Sequence, residues 1–157
     1  MTIRLTKGRN GKPPTLTCLR DDGSCTWQVS SDYFARHDLI HYAVETTLGF
    51  QQAFFGLLAQ GRDLNSFGTR GGVKDVYTPE EAWAETLVGL LQWPAIGGGP
   101  VLSDCELSTM LVKSCAEQGI PSPAVPSELL ALMCAQVKPL HDQWKQLPDG
   151  ECLELGF

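Results

Sequence analysis

YFARHDLIHYAVETTL, residues 33–48, is the stretch around which the rest of the chain is organised. An α-helix turns by about 100° per residue, so four titratable side chains of this stretch share one helical face: His37, Asp38, His41 and Glu45. Apolar side chains occupy nearly the same face: Phe34, Ile40, Val44 and Leu48. The imidazoles are therefore expected in the stripe that packs against the core, where buried polar groups need partners.

The composition predicts one globular domain spanning residues 1–157. Of the 157 residues, 43% are hydrophobic and 19% are charged, so the chain can build a sizeable core. Its net charge of −6 argues against general affinity for nucleic acid or anionic lipid. No apolar run approaches the length of about 18 residues that a membrane span needs. We therefore expect neither nucleic acid nor a membrane as a partner.

The cysteines and the N-terminus predict a cytoplasmic protein. The six cysteines stand singly, without a CxxC pair or the spacing of a zinc ribbon. The opening MTIRLTKGRNGK lacks the apolar segment of a signal peptide. Reduced thiols are the simplest expectation. These features leave the oligomeric state open.

Strand patterns stand at both ends of the chain. TIRLT, PTLTCLR and SCTWQV alternate between apolar and polar residues, and an Asp-Gly step at Asp22-Gly23 predicts a hairpin between the last two. Cys18 and Cys25 flank this turn and are interpreted as small strand residues. The tail CLELGF also alternates. It is expected to return and pair with the N-terminal strands.

Helices are predicted between these strands. Ser30 or Ser31 is expected to cap the central helix, and Gly49 to interrupt or end it. FQQAFFGLLAQ then continues as a second helical piece to Gly61. The result is an α+β domain, with four or five helices packed on a small antiparallel sheet.

Two capping boxes begin further helices at Thr78 and Ser103. The first of these helices is expected to end near Trp93, before Pro94. The last helix is predicted from about residue 128 to about residue 145, with a kink or a restart at Pro139. Tryptophans 83 and 93 are expected inside the bundle, and Trp144 partly exposed.

A long loop is predicted over residues 62–78. Loops of this length in compact domains tend to be functional. Glycines alternate there with Arg70 and Lys74, so the segment can gate a pocket or meet an anion. It lacks the order of a phosphate-binding loop, and a flexible connector is the simpler interpretation.

The spacing of His37 and His41 predicts a metal site. Histidines at positions i and i+4 of a helix can bind one divalent ion, with Asp38 as a ligand or a neighbour. Glu45 lies about 12 Å along the axis from His37, so it is expected to orient His41 or to act as an alternative ligand. The missing ligand is expected from another helix, with four candidates: Glu81, Glu85, His141 and Asp142.

The segment HDLIHYAVE, residues 37–45, resembles an HDLxHxxVE motif of small bacterial proteins without an assigned activity. They are also similar to the HDxxH zinc motif of a protein of coenzyme Q biosynthesis. His37, Asp38 and His41 match that motif, whereas Ala53 stands where it has a glutamate. Phosphohydrolases of the HD type also carry a His-Asp pair but need another histidine upstream, and no histidine precedes His37 here.

Two functions follow from these patterns. The first is a small metal-binding protein, with zinc as the metal and His37 and His41 as ligands. If it is an enzyme, activated water would act on a small-molecule substrate, with Asp38 or Glu45 moving protons. The alternative is a non-catalytic binding domain whose buried histidines are structural. Burial or metal binding is expected to lower the pKa of both imidazoles, whereas Asp38 and Glu45 would raise it if their charges dominate without a metal; the lowered pKa is the expectation.

Overall fold

A computed structural model describes residues 1–67 and 78–157 of the chain. Four strands form one antiparallel sheet in the order β3-β2-β1-β4. Their bounds are β1 (Thr2–Thr6), β2 (Thr15–Leu19), β3 (Cys25–Val29) and β4 (Cys152–Gly156). The C-terminal strand pairs with β1, placing Leu155 opposite Ile3. The predicted closing strand is thus confirmed.

The predicted hairpin joins β2 and β3. Leu19 pairs with Cys25 across it, and Gly23 supplies the positive φ of 84° that the turn requires. Alternate residues of the two inner strands are buried beneath the helices. One of them is Cys18, and burial raises the pKa of its thiol to about 12. Both Cys18 and Cys25 are free thiols on paired strands, as expected.

The described residues contain five α-helices. Their bounds are α1 (Asp32–Leu48), α2 (Phe54–Ala59), α3 (Pro79–Ala95), α4 (Asp104–Glu117) and α5 (Ser127–Gln146). The central helix α1 packs against α2, α3 and α5. This arrangement confirms the predicted α+β class. None of the described helices has the length and apolarity needed to cross a membrane.

The predicted helix caps are present. The Ser31 Oγ accepts a 3.2 Å hydrogen bond from the backbone N–H of Phe34, and Gly49 ends α1 with a φ of 66°. Thr78 and Ser103 each form a complete capping box with the glutamate three residues later. These local signals therefore fix where α1, α3 and α4 begin.

The prolines and two tryptophans differ from expectation. Helix α3 runs past Pro94 to Ala95, and α5 continues through Pro139 without a restart. Val137 and Leu140, on either side of Pro139, are buried in the core, and their burial offsets the lost backbone hydrogen bond. Trp144, expected to be partly exposed, is only 1% exposed, whereas Trp93 is 52% exposed instead of lying inside the bundle.

The predicted loop over residues 62–78 lies only partly within the described residues. Its first part contains a short 3₁₀ helix, Leu64–Ser66, which begins with the Asp63 carboxylate accepting from the N–H of Asn65. Residues 68–77, which include Arg70 and Lys74, lie outside the described residues. The expectation of a gate or an anion contact falls on them and stays a prediction.

Candidate metal centre

Helices α1 and α3 bring three metal-ligating side chains together. His37 and His41 lie one turn apart on α1, with ring centroids separated by 4.8 Å. Glu85 comes from α3, and one ligand atom from each of the three residues lies within 4.8 Å of the other two. Glu85 was among the candidates predicted for the missing ligand. Such a group could hold one ion.

Gln92 determines the orientation of the His37 ring. The His37 Nδ1 lies 2.5 Å from the Gln92 Oε1, and the Gln92 Nε2 donates a 2.5 Å hydrogen bond to the Tyr33 hydroxyl. The amide oxygen therefore faces the imidazole and accepts from its Nδ1–H. This leaves the lone pair of the His37 Nε2 available to bind an ion.

Glu45 does the same for the His41 ring. The His41 Nδ1 lies 3.2 Å from the Glu45 Oε1, and the His41 Nε2 lies 3.5 Å from the Glu85 Oε1. The other oxygen of Glu45 accepts from the backbone N–H of Phe55 at 2.9 Å and of Gly56 at 3.2 Å. Glu45 thus lies on the side of the imidazole away from Glu85, where it orients the ring.

Gly56 is necessary for this arrangement. A Cβ at this position would lie 2.4 Å from the backbone of Gln51, a distance that real Cβ atoms do not show. A larger residue would displace the first turn of α2 and with it the N–H groups that hold Glu45. The sequence gives no direct sign of this contact, because Gly56 lies inside a helix.

Asp38 contributes the one unsatisfied oxygen. Its side chain is almost fully buried, and its Oδ2 is the only buried side-chain polar atom without a hydrogen-bond partner in the described residues. Burial, with a further contribution from the charge of Glu85, raises the pKa of the Asp38 carboxyl from 3.8 to about 8. Such an orphan oxygen is costly unless a ligand or an ion satisfies it.

These side chains line one small space, which we call the histidine cavity. It has a volume of about 220 Å³. Its walls are formed mainly by His37, Asp38, His41, Glu85 and the aromatic residues Phe34, Phe54 and Phe67. Phe34, expected in the core stripe, is instead 55% exposed and forms part of the outer wall. Its position at the start of α1, before the helix enters the bundle, accounts for this exposure.

The other predicted ligands have different roles. Glu81 lines the histidine cavity, but its carboxylate accepts from the Arg62 Nη1 at 3.0 Å and from the Thr78 N–H at 2.8 Å. His141 lies elsewhere, with its Nε2 2.8 Å from the backbone oxygen of Arg36. His141 and Asp142 therefore do not join the cluster. Gln92 was not predicted, although it follows Glu85 by two helical turns and so shares its face.

Burial favours the neutral form of both imidazoles. Burial lowers the pKa of His37, and the neighbouring His41 lowers it further. Burial also lowers the pKa of His41, against the opposing charge of Glu85. Both directions agree with the expectation from the sequence. Neutral imidazole is the form that binds a metal.

Glu45 responds to burial in the opposite sense. Desolvation raises the pKa of its carboxyl from 4.5 to about 8, while the N–H groups of Gly56 and Phe55 oppose that rise. The site thus combines imidazoles that resist protonation with carboxyl groups that resist ionisation. A bound cation would stabilise the ionised form of the carboxyl groups.

No family model, curated protein or solved structure matches this chain. The geometry of the site therefore carries the functional argument.

Proposed function

We propose that this protein binds one divalent transition-metal ion through His37, His41 and Glu85. The single observation that carries the proposal is the convergence of their ligand atoms within 4.8 Å of one another. Two imidazoles and one carboxylate are a donor set that suits zinc, and they leave a fourth position open. Zinc is therefore the metal we propose.

The hydrogen bonds around the two histidines support this proposal. Each Nδ1 lies against an oxygen of a neighbouring side chain, Gln92 for His37 and Glu45 for His41. Histidines that bind a metal through Nε2 commonly donate their other N–H in this way, which fixes the tautomer and the direction of the lone pair. Structural histidines need no such common orientation.

Asp38 extends the proposal towards chemistry. Asp38 lines the histidine cavity, and its Oδ2 has no hydrogen-bond partner in the described residues. A cation in the cavity would stabilise the ionised carboxyl, which could then bind the ion or accept a proton from a water at the open position. A zinc ion bound there would supply an activated water. The cavity volume of about 220 Å³ limits a substrate to a small molecule or to one small group of a larger one.

Elemental analysis of protein purified without a histidine tag and without added metal tests the proposal. We expect close to one equivalent of metal in the wild type and none in His37→Ala/His41→Ala. The matched control is His141→Ala, which removes the third histidine of the chain without touching the cluster. Its metal content is expected to equal that of the wild type.

Substoichiometric metal in the wild type, with no uptake of zinc or cobalt on titration, would contradict the proposal. Cobalt is a useful second probe because its absorption spectrum reports the number and type of ligands. Loss of metal in His141→Ala as well would show that the metal is bound elsewhere or that its loss reflects general instability.

One observation favours a second candidate, a non-catalytic domain with a structural histidine cluster. Both ring nitrogens of His41 already have carboxylate neighbours, at 3.2 and 3.5 Å. In that case His41→Ala would lower stability by a few kcal/mol with no metal to lose, as expected for a broken buried polar network. A chelator that lowers the melting temperature of the wild type, but not of the double variant, would exclude this candidate.

A further inference from the structure

A second cavity lies on a different face of α1. Its volume is about 600 Å³, within the range of sites for small organic ligands. We call it the arginine cavity, and its walls come from α1, α3, α4 and α5 together with Lys7. It shares no lining residue with the histidine cavity.

The wall of the arginine cavity is mainly apolar. Buried side chains from three helices form it: Leu91, Leu107, Val137 and Trp144. The indole of Trp144 is held in place because its Nε1 donates a 2.8 Å hydrogen bond to Asp32. A preformed apolar wall of this kind accommodates the hydrocarbon or aromatic body of a ligand.

Some charged side chains of this cavity already have hydrogen-bond or ion-pair partners. Lys7 donates to the backbone oxygens of Trp144, Lys145 and Leu147 at 3.0 to 3.1 Å. Lys138 forms an ion pair with Asp142. Lys7 is therefore bound to the C-terminal end of α5, and Lys138 to a neighbouring carboxylate.

Arg36 differs from these two lysines, and also from Lys145, which lies at an exposed position. It is half-buried, and the one hydrogen bond of its guanidinium in the described residues runs from Nη2 to the backbone oxygen of Ala95, at 2.7 Å. Within residues 1–67 and 78–157 no carboxylate forms an ion pair with it. Asp32, one turn earlier, instead accepts from the Trp144 indole.

An unpaired guanidinium beside an apolar wall predicts the chemistry of the occupant. A partly desolvated charge is stabilised by an opposite charge, and arginine matches the planar geometry of a carboxylate with two parallel N–H donors. We propose that the arginine cavity binds a small amphipathic carboxylate, with its anionic group on Arg36 and its apolar body against Trp144 and Val137. This site is independent of the proposed metal site.

Calorimetric titration with octanoate tests the proposal, with octanamide as its uncharged counterpart. Octanoate is expected to bind at one saturable site, at least about tenfold more tightly than octanamide, because a charged hydrogen-bonded pair contributes about that factor or more. Arg36→Met should weaken octanoate binding by a similar factor and leave octanamide unchanged. The matched control is Arg4→Met, which removes an exposed arginine paired with Glu154 outside the cavity.

Two further variants keep the test decisive. If Arg36→Met does not fold, Cys134→Phe narrows the cavity from its half-buried wall and should abolish binding of both probes. His37→Ala/His41→Ala should bind octanoate like the wild type, which separates the arginine cavity from carboxylate binding at a metal. Equal affinity for the two probes, equal loss in Arg4→Met, or no saturable binding by the folded wild type would each overturn the proposal.

Discussion

The histidine cavity and the arginine cavity are both lined by α1, yet their charges are of opposite kinds. Arg36 and His37 are consecutive residues, but the helix turns by about 100° between them and sends them to different cavities. In the histidine cavity, carboxylates and imidazoles lie beside three phenylalanines around a small space. In the arginine cavity, cationic side chains lie at the border of a larger, mainly apolar space.

The difference in charged side chains determines which kind of ligand each cavity can stabilise. The histidine cavity has no cationic side chain among its lining residues in the described part of the chain, and its carboxylates would attract a bound cation. The lining of the arginine cavity includes four cations and two carboxylates, so its excess charge is positive although the whole chain carries −6. Four substitutions test how separate the two cavities are.

The largest effect is expected for Glu45→Ala. The substitution leaves the His41 Nδ1 and the N–H groups of Phe55 and Gly56 without their shared acceptor. Breaking such a buried network should lower the free energy of unfolding by about 3 kcal/mol or more, measured by urea denaturation. The control Glu154→Ala, which breaks an exposed ion pair with Arg4, should cost about 1 kcal/mol or less. A loss below 1 kcal/mol in Glu45→Ala would show that the carboxylate does not hold the site together.

The next effect is expected for Glu85→Gln. The side chain is 54% exposed, so in the presence of chelator the free energy of unfolding should change by about 0.5 kcal/mol or less. Zinc affinity should nevertheless fall by at least about tenfold, because the substitution removes one charged ligand. Competition with a chromophoric chelator measures it. Glu128→Gln, at an exposed position of α5, is the matched control. An equal loss of zinc affinity in this variant would mean that the loss reflects the net charge of the protein and not a missing ligand.

A pH effect of intermediate size is expected for the metal-free protein. Burial raises the folded-state pKa of Asp38 to about 8, so its contribution to stability is present below pH 3.8 and is lost as pH rises through 8. The folded-state pKa values of His37 and His41 are lowered, so their contribution is present above pH 6.5 and is lost as pH falls towards the folded values. Glu45, whose pKa is also raised to about 8, has the same sign as Asp38. Below pH 6.5 the two acids and the two histidines oppose each other, so stability should change little there and should decline between pH 6.5 and 8.

Asp38→Asn separates the two limbs of this profile. The substitution should reduce the decline between pH 6.5 and 8 by up to about 1.4 kcal/mol per pH unit, the value for one proton. Below pH 6.5 the variant should lose stability as pH falls, because only Glu45 then opposes the two histidines. Melting curves from pH 5 to 9 in chelator measure both limbs. An unchanged alkaline limb would show that Asp38 ionises freely in the folded protein.

The smallest effect is expected for Asp32→Asn, in the wall of the arginine cavity. The amide can still accept from the Trp144 indole, but the negative charge in the first turn of α1 is lost. We expect a loss of about 0.5–1 kcal/mol by urea denaturation. Zinc affinity should not change. A fall in zinc affinity would show that the two cavities are coupled through α1.

The sequence predicted the local features of this protein well. Hairpin, caps and closing strand depend on residues that are close together in the chain, or on an alternation that any short window shows. The face shared by His37, Asp38, His41 and Glu45 follows from helical geometry alone. Helical geometry does not show which part of another helix lies opposite, so Glu85 could be predicted only as one of four candidates on other helices.

Only the tertiary structure decided which of these residues meet. The packing of α3 against α1 selects Glu85 as the residue that joins the two histidines and brings Gln92 to His37. The burial of Trp144 and the opening of the arginine cavity likewise depend on how α5 meets α1, α3 and α4. Periodicity fixes the direction of a side chain within its own helix, whereas contacts between helices depend on packing across long separations in sequence. The sequence by itself therefore determined the elements and the face of α1, and the packing of the helices decided the composition of both cavities.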